Sequence, residues 1–264
     1  MTEKGVHGHG VELARQRLRG AILSGTFAPG AQMRQAQLAD ALGVGRTPLR
    51  EAIHIVQEEG LLVSDPNRTV RVAELSADDL EAVYAIRIVQ DATTVRSTIP
   101  RLTPDEAGEL RALVAKMDHF AHEQDYDRYA VPHRAFHELL VAGAGGRVFA
   151  LSMQLFDHAE RYRHAYGSGG PRSYEMADRE HHAILEAAID RDASRCAKEL
   201  VNHYARTVAG VIERFEPGTT LPRVEFACAI AIAEPDQPGG AAVWKRARDM
   251  HRDAGGRVHL PADT

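Results

Sequence analysis

The chain is nearly without cysteine: Cys196 and Cys228 are the two it has, and neither belongs to a C-x-x-C pair. That excludes a disulfide framework and fits a reducing compartment. Nowhere do apolar residues run for the ~18 positions of a membrane span. The N-terminus, MTEKGVHGHG, lacks the apolar stretch of a secretory signal. The expectation is a cytoplasmic protein with no membrane partner. Aromatic residues are few, at 6%, beside 44% apolar and 26% charged residues, the composition of an ordinary globular protein. With 264 residues the chain is long enough for two domains.

One sign of charge is almost missing from one stretch. The whole chain is acidic, with 32 Lys and Arg against 37 Asp and Glu and a net charge of −5. Yet between Leu13 and Arg50 the six arginines Arg15, Arg17, Arg19, Arg34, Arg46 and Arg50 face a single acid, Asp40. Such asymmetry points to a nucleic-acid module joined to something else.

Within that stretch, GVGRTPLREA (Gly43 to Ala52) interrupts a helical pattern and restarts it. Thr47 reads as the N-cap, Pro48 as the first helical residue and Arg50 as the third. Two arginines at a helix N-terminus oppose the helix dipole, so the arrangement calls for an anion from outside. The surrounding pattern predicts a helix from Leu13 to near Gly25, a turn at APGAQM, a helix from Arg34 to Leu42 and a third from Thr47 to about Glu59. Two short β-rich runs, LLVS and TVRVAEL, flank DPNR. Helix, helix, turn, helix and hairpin is the order of a winged helix-turn-helix. In that arrangement Arg46 and Arg50 reach base edges, where arginine bonds guanine bidentately. Thr47 contacts a phosphate, and Arg68 at the hairpin tip approaches the minor groove or the backbone.

From Ser76 to about Glu216 the pattern is almost wholly helical. Ser76 with Asp79 resembles a capping box opening a helix to about Thr98, and Thr103-Pro104 opens one to His122. Helices follow over Asp125–Ala142, Arg147–His164, Pro171–Arg191 and Ala193–Glu216, and short loops imply an antiparallel bundle. Domains are therefore expected at 1–75 (winged helix-turn-helix), 76–216 (helical, effector-binding and dimerising) and 217–264 (a C-terminal extension of unassigned role). In the extension VEFACAIAIA (Val224 to Ala233) reads as strand, DQPGG as a turn and AAVWKRARDM as a short helix. The fold class expected is mainly α.

Histidines mark the helical region. VPHRAFHELL sets His133 and His137 at i, i+4, on one helix face. Among 14 histidines that pair is weak evidence alone. His181 shares a face with Ile184, Leu185 and Ala188, and so points inward, while His203 lies beside Leu200. Neutral imidazoles on facing helices are a natural cage for Zn²⁺ or a related divalent ion.

The run GAILSGTFAPGAQMRQAQLADALGVGRTPLREAIHIVQEEGLLVSDPNRTVRV resembles the DNA-binding domain of the GntR family of bacterial transcriptional regulators. The resemblance spans nearly all of residues 11–75 and implies that Arg46, Thr47 and Arg50 contact bases and phosphates. Arg34 is included with the expected DNA-binding set. Gly45 replaces the family's usual hydroxyl residue, Ala36 an arginine of some members, and Thr69 the wing glycine. Residues 76–216 are similar to the FCD effector domain of the FadR-type subfamily, through the FH of HRAFH, EHHAILEAAIDRD and VNHY. By that resemblance His137, His181 and His203 match metal ligands of the subfamily, and His133 stands at its aspartate ligand position. The implied cofactor is a divalent metal ion of the Zn, Ni or Mn class. Arg87, in AIRIVQD, matches an arginine placed to pair a small carboxylate effector. Its competing reading is an interhelix salt bridge. Pro132 should kink the helix or start it late, shifting His133.

These features together predict no enzyme but a ligand-responsive regulator, a repressor by the resembled family's habit. It would act as a homodimer on a palindromic double-stranded operator and answer to a small organic acid. Two alternatives stay open: a sensor for which the metal is the signal, and a helical-bundle metalloenzyme using the His cluster. Against the last, the paired E-x-x-H motifs of di-iron bundles are missing, with Glu51 and His54 the one instance found.

Overall fold

A computed structural model gives the fold and describes residues 3–65, 69–166 and 171–233. The first unit contains α1 (Glu3–Leu23), β1 (Gln32–Arg34), α2 (Gln35–Leu42), α3 (Arg46–Glu58), β2 (Leu62–Asp65) and β3 (Thr69–Val72). Helix α2 stops because Gly43 takes the left-handed conformation at φ 60°, where its amide bonds back to the carbonyls of Ala39 and Asp40. Helix α3 buries Leu49, Ile53 and Val56 against Leu18 and Ile22 of α1 and Leu38 of α2. Burying each such side chain contributes roughly 1.5–3 kcal/mol, so the opposite face of α3 stays free to carry function.

Three strands pair antiparallel in the order β1-β3-β2, with Gln32 opposite Arg71 and Leu62 opposite Val72. The predicted turn APGAQM therefore runs into a strand. Its partners lie 35 to 39 residues downstream in register, Gln32 opposite Arg71 through Arg34 opposite Thr69, a distance no local pattern reveals. Helix α1 also begins ten residues before the expected Leu13.

The second unit is an all-helical bundle. It comprises α4 (Ala77–Thr98), α5 (Pro104–His122), α6 (Tyr126–Val141), α7 (Gly146–Tyr166), α8 (Pro171–Ile189) and α9 (Ala193–Phe215). Caps set the starts. Ser76 accepts from the Asp79 amide, Thr103 and Glu106 form a full capping box, and Asp125 and Asp192 each accept from the amide three residues on. Helix α4 runs through the middle, with Leu80, Tyr84, Ile88 and Val95 buried against α9 and its neighbours.

The stretch expected as strand is instead α10 (Pro222–Ala231), whose Val224, Ala227 and Ala231 join the bundle core. Pro222 in its first turn is a helix-start signal. A short apolar run of this kind suits either period, and packing against α4 decided it. The turn and short helix expected beyond Ala233 lie outside the described residues. Among the described residues no helix is long and apolar enough to cross a membrane.

Candidate functional site

Helix α3 starts two residues earlier than its expected first residue, Pro48. Gly45 is the N-cap, Arg46 the first helical residue, and the Leu49 amide bonds the Gly45 carbonyl. Thr47 therefore does not cap the helix, Pro48 is its third residue and Arg50 its fifth. Glycine brings no side-chain acceptor, so the first-turn amides of α3 are left pointing outward with Arg46 beside them. Arg34, Arg46, Thr47 and Arg50 are all exposed, and the three arginines pair with no other described residue. Arg34 sits at the junction of β1 and α2 rather than on α3. Arg68 lies outside the described residues. Arg46 and Arg50 thus stand exposed on a helix whose other face holds the core, and guanidinium groups so placed can bond phosphate and base edges.

The second candidate lies inside the bundle. His133 and His137 on α6, His181 on α8 and His203 on α9 converge, their ligand atoms within 4.8 Å of one another. Ring centroids of His133 and His137 are 4.7 Å apart, and those of His181 and His203 4.6 Å. All four are buried. Pro132 lies inside α6, which neither starts late nor ends there, and His133 keeps its place in the cluster. His182, next to His181, faces outward onto Asp118 at 3.0 Å.

Three of the imidazoles have an oxygen within hydrogen-bond distance of Nδ1, and the Nδ1 of the fourth, His133, is buried without a hydrogen-bond partner. His203 Nδ1 lies 2.7 Å from Glu180, His137 and His181 lie 3.4 Å from the Tyr204 and Tyr129 hydroxyls, and His133 lies 3.9 Å from Glu160. A proton donated through Nδ1 leaves Nε2 with its lone pair, the tautomer metal ligation needs. The Nε2 atoms of His137 and His181 are buried without a hydrogen-bond partner. An orphaned buried nitrogen costs about 1–3 kcal/mol, and a metal ion would relieve it.

Burial is the main force on their protonation. It pushes the pKa of His133, His137 and His181 well below the usual 6.5, and that of His203 down to about 3. Neighbouring basic side chains add to the effect by opposing a further positive charge, chiefly His137 at His133, Arg87 at His137 and His203 at His181. All four are neutral at pH 7, the form that binds a metal. Ligand nitrogens around a tetrahedral zinc lie roughly 3.4 Å apart, so this set needs small inward shifts to close on one.

Arg87 is buried one side chain away. Its Nη2 donates to the Tyr204 hydroxyl at 3.1 Å, its Nε lies 3.5 Å from Asp91, and its guanidinium stacks 4.1 Å from the Tyr204 ring centroid. Asp91 in turn accepts from Ser152 and Tyr204. The arginine is thus held beside the histidines and already has a carboxylate partner. Tyr129, Tyr204, Glu160 and Glu180 went unnoticed in the sequence, since their relation to the histidines arises only when α6 to α9 pack. A glutamate one position before His181 was the one available hint.

A winged helix-turn-helix joined to a helical bundle with a buried four-histidine cluster defines a class of DNA-binding regulators. Comparison with known proteins gives the family. The "Bacterial regulatory proteins, gntR family" domain matches residues 11–72, and the FCD domain matches residues 82–206. The HTH-type transcriptional repressor GlaR of Escherichia coli is 30% identical over 209 residues, which is 76% of this chain and 94% of that protein. An HTH-type regulator of Bacillus subtilis, YdhC, is 26% identical over 71% of this chain and 84% of its own. The solved structure of E. coli McbR/YncC superposes with a TM-score of 0.72 at 21% identity, covering 78% of this chain and 99% of that one, which speaks for the fold. This chain belongs to the GntR family and is a DNA-binding transcriptional regulator with a C-terminal FCD domain; its relatives are regulators, not enzymes.

Proposed function

We propose that the protein is a repressor whose operator affinity depends on a divalent metal, and a small carboxylate ligand, in the FCD bundle. In this reading residues 1–75 read the operator through Arg34, Arg46, Thr47, Arg50 and Arg68. The bundle of residues 76–216, extended by α10 from the C-terminal segment, holds the ligands and the dimer contact. His133, His137, His181 and His203 hold the metal. Four neutral imidazoles favour zinc or nickel over manganese, which prefers oxygen donors. The observation that carries this reading is the convergence of four neutral buried imidazoles, two of them with orphaned Nε2 atoms. Arg87 stands where it would meet the carboxylate, once Asp91 gives way or shares it.

A homodimer on a palindromic operator fits the two-fold logic of such readers. Exposed Ile86 on α4, Val148 on α7, and Phe226 and Ile230 on α10 form an apolar face that a second copy would cover. A second reading takes the ion itself as the signal, because four histidines fill a tetrahedral zinc shell and leave no open position.

Elemental analysis of the purified full chain tests the metal. One zinc or nickel per chain, lost in His137→Ala and kept in Arg50→Ala, supports the site; a metal-free protein that takes up neither ion removes it. Titration of the loaded protein with small dicarboxylates then separates the two readings. Saturable binding weakened by Arg87→Gln supports the organic acid, and its absence leaves the ion as the signal.

A further inference from the structure

The two units meet along one side of α7, and the contact is polar and specific. Asp157 on α7 is 1% exposed, yet it carries two ion pairs. One goes to Arg19 on α1 of the DNA-reading unit, the other to Arg134 on α6, the residue next to His133. Arg19 also donates to Glu59 at 3.0 Å, and Arg15 pairs the same carboxylate at 2.7 Å. Glu59 is the C-cap of α3, the reading helix.

Helix α7 grips the same residue a second time. His158 Nε2 lies 2.7 Å from the Glu59 carbonyl, and Gln154 donates to that oxygen at 3.3 Å. The approach is close enough to restrict the next position. Gly60 has φ 77°, and a Cβ there would lie 3.3 Å from the His158 ring. Arg161, one turn on, donates to the Ala73 carbonyl in the linker.

The other side of α7 lines the histidine cluster. The Phe156 ring centroid is 5.6 Å from those of both His133 and His137, and Glu160 faces His133. Neighbouring residues of one helix thus touch the ligand cluster and the reading unit. A cavity of about 370 Å³ remains at the junction, among Arg15, Arg19, Glu59, Arg134, Glu138 and Asp157, leaving room for these side chains to rearrange.

We propose that Asp157 is a positioning residue: held between Arg134 and Arg19, it fixes the DNA-reading unit on the bundle, so that a shift of α6 on metal loading reaches the end of α3. A buried carboxylate with two guanidinium partners is sensitive to displacement of either, because leaving it unpaired is strongly unfavourable. The histidine cluster draws inward on loading, Arg134 moves with His133, and Arg19 is the group that must follow. The second half of this proposal rests on the metal reading above; the first half does not.

The test uses the full chain, metal-stripped and zinc-loaded, and a palindromic duplex selected from a random library by the parent protein. Operators with half-site spacing altered by one or two base pairs give a spacing profile that requires no metal. Parent protein should discriminate sharply, while Arg19→Gln, which leaves the Asp157–Arg134 pair inside the bundle, should flatten the profile and keep zinc content. Arg19→Lys should restore it, and Asp157→Asn should behave like Arg19→Gln. Their combination should add nothing further if the two act as a pair. Zinc should shift parent operator affinity by about tenfold, within the usual range of coupling between sites, and the shift should shrink to about twofold in Arg19→Gln. Unchanged spacing discrimination in Arg19→Gln and Asp157→Asn, with both folded, overturns the proposal. A parent that binds zinc without any change in operator affinity overturns the metal-control reading instead, while the spacing profile still decides the role of Asp157.

Discussion

The reading unit and the bundle treat charge in opposite ways. On α3, Arg46 and Arg50 stand exposed, keep their hydration and pair with no other described residue. In the bundle, Arg87, Asp91 and four histidines lie within a few per cent of complete burial, and all but His133 have a hydrogen-bond partner within the fold. An exposed guanidinium can be deleted with little loss of fold and a large loss of binding. A buried imidazole is part of the packing, and any change in its charge is felt as stability. The difference separates a surface that waits for a partner from a cavity that ordering of the chain has already desolvated.

The largest effect expected from this contrast is at Arg50. If Arg50 makes one bidentate base contact in each head of a dimer, as proposed, Arg50→Ala should lose about 1–3 kcal/mol per contact, or roughly 30-fold to 2 × 10⁴-fold in operator affinity for two heads. Thermal unfolding and metal content should stay at parent values. Retained sequence preference at fixed salt would break the comparison from the DNA side.

Next in size is Glu180→Gln. Losing the carboxylate 2.7 Å from His203 Nδ1 should weaken zinc affinity about 10–100-fold, read by competition with a chromogenic chelator. DNA binding by the metal-stripped protein should not change.

Acid sharpens the contrast further. Because the folded pKa of His203 is about 3 against 6.5 for the free side chain, the unfolded chain takes up the proton first as pH falls. The metal-free protein therefore loses stability from about pH 6.5 downward, by about 1.4 kcal/mol per pH unit for each such imidazole. His203→Gln should make that slope shallower by about one proton, measured by urea unfolding at several pH values. Arg46→Ala should leave the slope alone.

The smallest effect is also informative. Since Gly45 rather than Thr47 caps α3, Thr47→Ala should alter stability by no more than about 0.5 kcal/mol, where loss of a true cap costs about 1 kcal/mol.

How far the molecule could be read without its structure follows from the range of the forces involved. Helices α4 to α9 are bounded by local signals, the Ser76, Thr103, Asp125 and Asp192 caps and the glycines and prolines between them, and these are visible in a dozen residues. Strand β1 and helix α10 are not, because a distant strand pair settles the first and packing on α4 the second. The start of α3 slipped by two residues because a glycine can hold the N-cap as well as a threonine can. Spacing and family resemblance singled out the histidines, and the structure brings them together. Their Nδ1 partners and the Asp157 junction stayed hidden, since Tyr129, Tyr204, Glu180 and Asp157 carry no pattern of their own along the chain.

The measurement that bears most directly on the central claim is operator affinity of one full-chain preparation, stripped of metal and then reloaded with one equivalent of zinc, at constant salt and pH 7. The account predicts uptake of one ion per chain and an affinity change of about tenfold, reversed by chelation. Identical affinity in the two states, or no uptake at all, would contradict it.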